Sequence, residues 1–317
     1  MTDTQKEVFK TPVNKIRLFE HGAPGSQNLK LTRKYYTEDM PDGRVKHIVQ
    51  NITDPDIVPY IPDGIGNSTD RQRIPAVLII PGGAFRRLVY NFEGEDVAKW
   101  LNSMGIAAFV LECRLPSDEH DNAEDVPLID AMRAMRVIRG RAQEFGIDEA
   151  KIGVMGFSAG GFMAALLSTA YESDVYADYK YKDEYDELSA RPDFAVCSYP
   201  VISIDDCIEA GKRYMSEEQV LERISDSKAK ILHKYNPDKL VRPDMPPVFI
   251  CETDDDRTTL SENSVGFYMA ARKAGVSAEL HIFRTGGHGY GCGDDFAQTG
   301  EWKVLFTKWI KSIGIIS

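Results

Sequence analysis

Residues 152–170 read IGVMGFSAGGFMAALLSTA, and this stretch decides the fold. Residues 152–155 are typical of a buried strand, and residues 162–170 predict a helix. The turn between them, residues 156–160, has the spacing G-x-S-x-G. Its glycines relieve crowding around a serine on a sharp strand-to-helix turn, and the helix N-terminus directs N–H groups at the reacting oxygen. The pattern predicts that Ser158 is a nucleophile; the alternative is a turn that only packs helix on strand.

Five further runs are short and almost entirely apolar: residues 76–80, 106–111, 194–197, 248–251 and 280–283. Such runs are typical of strands buried on both faces of a parallel sheet, and amphipathic helices lie between them. The sequence therefore predicts an α/β fold with a doubly wound, mostly parallel sheet, whose chemistry lies at the carboxyl ends of the strands. We predict a core over residues 76–317. Residues 1–75 are interpreted as an N-terminal extension and edge strands of the same domain, with a hairpin near residues 45–61.

A second glycine-rich turn, PGGAF at residues 81–85, follows the first predicted core strand. Small residues there let backbone N–H groups approach a ligand closely. We predict an oxyanion hole formed by the N–H group of Ala159 and that of Gly83 or Ala84. Such a turn is by itself more often only a turn, but its place ahead of the Ser158 turn favours the catalytic role.

The predicted base is His288, which lies in the segment GGHGYG at residues 286–291, shortly after the last predicted strand. A glycine-flanked histidine on a late loop is well placed to bring its imidazole to a distant serine. His281 lies inside a predicted strand and is interpreted as packing. The other histidines precede or fall outside the expected segment.

The third member of the predicted catalytic triad is a carboxylate after the strand at residues 248–251. Asp254, Asp255 and Asp256 all qualify, and simultaneous ionisation of all three in one buried place is unfavourable. We choose Asp256, then Asp255. The order Ser158, Asp256, His288 is the order of α/β-hydrolases. A Ca²⁺ loop is the alternative, but the run lacks the alternating ligands of such loops.

Three aromatic residues, Phe85, Tyr199 and Tyr290, fall on loops near the predicted site and are candidate substrate-binding residues that would form a rim for stacking a sugar. Ordinary loop packing is the alternative for each. Residues 208–246 hold short helical patterns at 217–224 and 226–233 and resemble a small cap inserted between two strands. A peripheral pair of helices with no role at the site is the alternative.

Composition excludes other classes of function. The chain has 317 residues, 43% of them apolar, and a net charge of −11, so we expect a globular protein that does not bind nucleic acid. Its five cysteines form no CxxC pair, which argues against a disulfide framework or a metal site and suits a reducing compartment. No signal segment or run of ~20 apolar residues is visible. We therefore expect a cytoplasmic protein with no membrane partner; the oligomeric state is not predicted.

From residue 74 onward the sequence resembles the esterase/lipase branch of the α/β-hydrolases, in particular bacterial acetylesterases and acetylxylan-esterase-like carbohydrate esterases. The resemblance rests on residues 81–85, 113–116 (CRLP), Asp130, 146–148 (GID), 156–161, 198–201 (SYPV) and 286–290. It implies a serine esterase that removes a short acyl group, an acetyl ester of a sugar or oligosaccharide, with no metal or organic cofactor. The sequence departs from the family pattern at Ala84, at residues 258–260 (TTL) and at Tyr290. The second departure puts the choice of Asp256 in doubt.

Three other functions stay open at this point. A lactonase, or a hydrolase of C–C bonds, shares every motif named above. A peptidase of the same fold usually needs an additional gating domain, for which the polar first 75 residues are too short. A non-catalytic binding protein on the same scaffold would more often lack Ser158 or His288, and both are present.

Overall fold

The computed structural model describes residues 9–10, 12–64, 73–213, 215–223, 226–293 and 298–317. The strands are β1 (Ile16–Arg17), β2 (Lys34–Asp39), β3 (Val45–Gln50), β4 (Asp56–Tyr60), β5 (Ile74–Ile80), β6 (Leu88–Val89), β7 (Ala107–Glu112), β8 (Ile147–Phe157), β9 (Ala195–Ser198), β10 (Val248–Thr253) and β11 (Ala278–Phe283). The helices are α1 (Asp96–Ser103), α2 (Val126–Gly140), α3 (Ala142–Phe145), α4 (Ala159–Ala170), α5 (Ile204–Lys212), α6 (Glu217–Arg223), α7 (Asp226–Lys234), α8 (Ser261–Lys273) and α9 (Glu301–Ser312).

The main sheet has the strand order β1-β4-β7-β5-β8-β9-β10-β11. The six strands from β7 to β11 in that order are parallel, and β4 and β1 are antiparallel at one edge. The predicted α/β class and mostly parallel sheet are therefore confirmed. After β5 the chain goes first to β7 on one side and then to β8 on the other. The crevice at such a switch point is where ligands bind in open α/β sheets, and the turns after β5 and β8 both open into it.

Two pairs of helices pack on the sheet. Helix α4 packs on β8 and β9 and against α2, while α1 packs on β7 and α9 on β10. Aromatic rings join the second pair to the sheet: Trp302 of α9 contacts Trp100 of α1 and Phe157 of β8 at centroid distances of 4.9 and 6.3 Å. Because parallel strands in the interior of a sheet are covered on both faces, five of the six strands that the apolar runs predicted are almost wholly buried. The sixth, β11, lies at the edge of the sheet and is only partly buried, with Ile282 42% exposed.

The hairpin expected near residues 45–61 is wrong. Strand β3 pairs with β2 and β6 in a separate three-stranded sheet, whereas β4 pairs with β7 and β1 in the main sheet. The reason is the apolar pair Ile57 and Val58, whose side chains point to opposite sides of β4 and are 0% and 4% exposed. A surface hairpin would leave one of them in water, and the edge of the main sheet buries both.

A buried cluster of charges attaches the N-terminal residues to the core. Glu112, at the end of β7, is fully buried and accepts hydrogen bonds from Lys15 (2.7 Å), Arg33 (2.7 Å) and the hydroxyl of Tyr35 (2.8 Å). A buried carboxylate needs such partners, since an unpaired charge in the interior is very costly. These contacts attach the segment from Lys15 to Tyr35 to the end of β7. That residues 1–75 and the core form one domain stays a prediction.

Helices α5, α6 and α7 lie between β9 and β10, where the insertion was predicted. The end of α7 is attached to the segment before α2: Lys234 forms an ion pair with Asp125 (2.6 Å), which also accepts a hydrogen bond from the Tyr235 hydroxyl. At this contact the insertion is tied to the core. A lid role for residues 208–246 stays a prediction.

Candidate active site

Ser158 lies on the sharp turn between β8 and α4. Its φ of +53° belongs to the left-handed region, which is costly for a side chain other than glycine and persists only where the surroundings enforce it. A Cβ on Gly156 would overlap the carbonyl oxygen of Gly160, and a Cβ on Gly160 would overlap that of Ile80. Both glycines of the G-x-S-x-G spacing are therefore required by close backbone approach, and they hold the serine at the carboxyl end of β8.

His288 and Asp256 complete a hydrogen-bonded series with this serine. The Nε2 atom of His288 is 2.8 Å from the Ser158 Oγ, and its Nδ1 atom is 2.6 Å from the Asp256 Oδ2. Because a carboxylate only accepts, Nδ1 carries the proton, and Nε2 is left to accept from the serine hydroxyl. The structure thus brings together three residues from widely separated parts of the sequence, in the arrangement that general-base activation of a serine requires.

Asp256 is held by four hydrogen bonds. Its Oδ1 accepts from the backbone N–H groups of Thr258 (2.7 Å) and Thr259 (2.9 Å), and its Oδ2 from the Thr259 hydroxyl (3.0 Å) and His288. Burial acts to raise the pKa of Asp256, but the bonds from His288 and the two backbone donors outweigh it and leave the pKa below its usual value. The departure at residues 258–260 therefore supplies the donors that fix this carboxylate.

The other carboxyl groups of the segment have different surroundings. Asp255 Oδ1 accepts from the N–H groups of Gly286 (2.9 Å) and Gly287 (2.8 Å), so it holds the loop that carries His288. Asp254 is exposed. Glu252, at the end of β10, is fully buried, and burial together with the charge of Asp256 raises its pKa well above the usual value. The partners of Asp255 and Asp256 are protein donors, which disfavours the Ca²⁺-loop interpretation.

The turn at residues 81–85 lies against the serine. A Cβ on Gly82 would come within 2.9 Å of the Ser158 Cβ, and both Gly83 (φ +139°) and Ala84 (φ +57°) have left-handed backbone conformations. The backbone N–H groups of Gly83 and Ala84 have no hydrogen-bond acceptor in the part of the chain that the structure describes. Ala159 is the first residue of α4, so its N–H has no acceptor within the helix. These N–H groups are available to bind an oxyanion; an oxyanion hole at this place stays a prediction.

The aromatic rim expected from the sequence requires a correction. Phe85, Tyr199 and Tyr290 are only 4%, 0% and 5% exposed. The Phe85 ring packs edge-on against Phe162 at 5.5 Å, and the Tyr199 ring packs against those of Tyr290 (4.5 Å) and His288 (5.0 Å). Rings enclosed in this way cannot stack on a sugar from solvent, so the packing alternative describes their contacts. Apolar and aromatic side chains on loops beside a sheet edge are buried when several loops converge there, which the sequence does not reveal.

Sequence reasoning missed Glu93, which is buried directly behind this site. Its Oε2 accepts from the N–H of Gly82 (2.8 Å) and its Oε1 from the hydroxyl of Tyr199 (2.9 Å). In the sequence it looks like an ordinary acidic residue ahead of a helix. The one available signal is its position within the polar segment NFEGED at residues 91–96, directly before the apolar pattern of α1.

The fold and the site together define the class of protein: it is an α/β-hydrolase. The chain belongs to the BD-FAE family, whose family model matches residues 65–270. Over 240 residues it is 31% identical to an acetylxylan esterase of Xylanibacter ruminicola, and the match covers 75% of this chain and 45% of that protein. The chain spans less than half the length of the curated relatives it matches.

Two solved structures of ester hydrolases are also similar to this chain. An acetyl ester-xyloside bifunctional hydrolase from Caldicellulosiruptor lactoaceticus is 34% identical with a TM-score of 0.72, and the match covers 96% of this chain and 97% of that one. A carboxylesterase from Lactobacillus plantarum, 21% identical, shares the fold with a TM-score of 0.66 over 90% of this chain and 99% of its own. The resemblance to the esterase branch is therefore confirmed.

Proposed function

We propose that the protein is a serine carboxylic ester hydrolase that works through an acyl-enzyme and deacetylates a sugar or oligosaccharide. The observation that carries the proposal is the hydrogen-bonded series from Ser158 through His288 to Asp256 at the carboxyl edge of the sheet. The names of two relatives, an acetylxylan esterase and an acetyl ester-xyloside hydrolase, support an acetylated sugar as substrate.

The geometry supports a two-step acyl transfer. In the first step the Ser158 oxygen attacks the ester carbonyl while neutral His288 takes its proton, and the protonated imidazole then delivers that proton to the leaving alcohol. Asp256 holds the imidazole in the required tautomer and stabilises its cation. The N–H groups of Ala159 and of Gly83 or Ala84 bind the oxyanion. Water, activated by His288, then hydrolyses the acyl-enzyme and releases acetate.

A small cavity beside the oxyanion turn supports a short acyl group. It has a volume of about 10 Å³ and is lined by Gly83, Ala159, Phe85, Met163 and other mostly apolar residues. In this proposal Phe85 contacts the acyl group as part of the cavity wall. A cavity of this size has room for about one water-sized group. It therefore favours the small methyl group of an acetyl ester over a longer acyl chain, which would have to displace side chains that are already packed.

We expect Met163→Ala to widen the preference for acyl length. The change enlarges the cavity by most of a side chain, and one methylene in an apolar pocket is worth ~1–3 kcal/mol of discrimination. The ratio of kcat/KM for p-nitrophenyl butyrate to that for the acetate should rise about tenfold or more. Met269→Ala is the control, because Met269 is 59% exposed on α8. Equal ratios in the wild type and both variants would show that this cavity does not hold the acyl group.

The pH profile of kcat/KM should rise on its acidic side and then reach a plateau. The base must be neutral to accept the serine proton, and Asp256, whose pKa is lowered, stays charged while the imidazole titrates. A single proton then controls the acidic limb, with a slope of about tenfold per pH unit. Initial rates on p-nitrophenyl acetate between pH 5 and 9, corrected for spontaneous hydrolysis, measure it. Activity that falls as pH rises through the limb contradicts a neutral imidazole base.

A substrate panel separates this function from the others on the same scaffold. Acetylated xylooligosaccharides, simple lactones and aminoacyl amides are incubated with the protein, and released acetate, opened lactone or free amine is measured. We expect turnover of the acetylated sugars to exceed that of lactones and amides. Preferential lactone opening would make the protein a lactonase, and no turnover of any of them would favour a binding protein.

The cellular location stays a prediction. All five cysteines are buried, which suits the reducing compartment proposed above. No helix in the part of the chain that the structure describes combines the length and apolar character required to cross a bilayer.

A further inference from the structure

Glu93 is a buried acidic residue outside the series of Ser158, His288 and Asp256. It lies in a short π-helical turn, Asn91–Glu95, and is 5% exposed. In this turn the N–H of Glu95 bonds to the carbonyl of Tyr90, five residues earlier. Such turns are rare and are frequent at functional sites, because they redirect side chains relative to a regular helix. Here the turn directs a carboxylate into the interior.

The hydrogen bonds of Glu93 connect the two loops of the site. Its Oε2 accepts from the N–H of Gly82, in the turn proposed to bind the oxyanion, at 2.8 Å. Its Oε1 accepts from the hydroxyl of Tyr199 at 2.9 Å. The oxygen of that hydroxyl in turn accepts from the N–H of Gly291, in the loop that carries His288, at 3.0 Å. One carboxylate therefore links the two loops through a single tyrosine.

The direction of these bonds agrees with an ionised Glu93. A backbone N–H can only donate, so Gly82 donates to one carboxylate oxygen. Because the N–H of Gly291 occupies an acceptor site of the Tyr199 oxygen, the tyrosine proton is free to donate to the other carboxylate oxygen. Both oxygens of Glu93 are then acceptors, which is the arrangement of an ionised carboxylate.

Among the positive charges that act on Glu93, protonated His288 has the largest effect. Burial raises the pKa of Glu93, while the positive charge of protonated His288, the bonds from Tyr199 and Gly82, and the more distant Lys46 oppose the rise. Between Glu93 and His288 lies the Tyr199 ring, edge-on to the imidazole at 5.0 Å. Asp256 contacts the imidazole directly at Nδ1, so Glu93 acts on it from a longer distance.

We propose that Glu93 is a positioning residue of the active site, which holds the oxyanion turn and the His288 loop in register and whose negative charge stabilises the imidazolium formed during acyl transfer. This inference rests on the proposed function. The strained backbone of Tyr199, with a φ of +37°, agrees with it, because a residue held in that region needs surroundings that enforce it.

The test is Glu93→Gln, which keeps the shape of the side chain and removes its charge. We expect kcat to fall about tenfold or more with little change in KM, because misplacing an oxyanion donor affects the transition state more than substrate binding. We also expect the acidic limb of the kcat/KM profile to move to lower pH by about half a unit, since removal of a nearby negative charge favours the neutral imidazole. A purely structural role would leave the position of that limb unchanged.

Glu95→Gln is the matched control. Glu95 is in the same turn, its side chain is 30% exposed, and it pairs with Lys99 on the surface. It should keep the wild-type kcat and pH profile. Thermal unfolding of all variants shows whether each is folded, and Ser158→Ala shows beforehand that wild-type turnover comes from this site. Absence of that turnover refutes the proposed function, whereas an active wild type matched by Glu93→Gln in kcat and pH profile overturns the role of Glu93.

Tyr199→Phe tests the link if Glu93→Gln does not fold. It removes the hydroxyl that joins Glu93 to Gly291 and keeps the carboxylate. We expect kcat to fall several-fold while the acidic limb stays at its wild-type pH, because the charge near His288 is retained. A folded Tyr199→Phe protein with wild-type kcat would show that this link does not position the loops.

Discussion

Ser158→Ala should lower kcat on p-nitrophenyl acetate by about 10⁴ to 10⁶-fold while leaving the fold intact. The variant removes the only atom that the proposed mechanism joins covalently to the acyl group. The left-handed conformation at this position is enforced by the surrounding backbone, and alanine tolerates it no worse than serine does. Any residual rate reflects substrate binding and the oxyanion hole alone.

The measurement is the initial rate of p-nitrophenol release, with an acylated protein trapped by acid quench and weighed by mass spectrometry. Wild-type protein should gain the mass of one acetyl group and Ser158→Ala none. Ser168→Ala is the matched control, because Ser168 is a buried serine of α4, the helix that follows Ser158, and its hydroxyl donates to the carbonyl of Ala164. If Ser158→Ala keeps wild-type turnover, the nucleophile is a different group and the proposal fails.

Asp256→Asn is expected to have the second largest effect, about 10⁴-fold in kcat. An amide at this position presents an N–H to the imidazole as readily as an oxygen, so Nδ1 becomes an acceptor and Nε2 carries the proton. The ring then cannot accept from the Ser158 hydroxyl. The side chain keeps nearly the same shape, and the donors at Thr258 and Thr259 remain, so the protein should unfold cooperatively near the wild-type temperature.

The neighbouring aspartates provide a graded comparison. Asp255→Asn keeps one oxygen to accept from Gly286 and Gly287, and we expect a modest loss of activity from a less firmly held His288 loop. Asp254→Asn should be neutral, because its side chain is exposed. We therefore expect kcat to be highest for Asp254→Asn, lower for Asp255→Asn and lowest for Asp256→Asn. If a different variant has the lowest kcat, the residue changed in that variant is the carboxylate of the catalytic triad.

The parallel sheet and the position of the serine followed from local patterns. Apolar runs of four to six residues predict strands buried on both faces, and the spacing of Gly156, Ser158 and Gly160 demands close backbone approach, whatever surrounds it. Chain order then assigned His288, since only one histidine lies on a late glycine-rich loop. Such features are visible in the sequence because they depend on a residue and its immediate neighbours.

The choice among three consecutive aspartates depended on the tertiary structure. Their local sequence is nearly identical, and only the loops that surround them differ: Asp256 faces His288 and the donors of Thr258 and Thr259, while Asp255 faces the loop at Gly286. The pairing partner of β4 was misjudged for the same reason. Hydrogen-bond partners distant in sequence decide both outcomes, and a local pattern does not contain them.

The sequence by itself determined the fold class and singled out Ser158 and His288, which we propose as nucleophile and base, because each depends on patterns confined to a short stretch of chain. Only the tertiary structure decided that Tyr199 is a buried link and that Glu93 lies behind the oxyanion turn. Burial and hydrogen-bond direction at these residues depend on contacts between several loops that are distant in the sequence. Their physical cause is the convergence of separate strand ends at one edge of the sheet, which no single stretch of sequence describes.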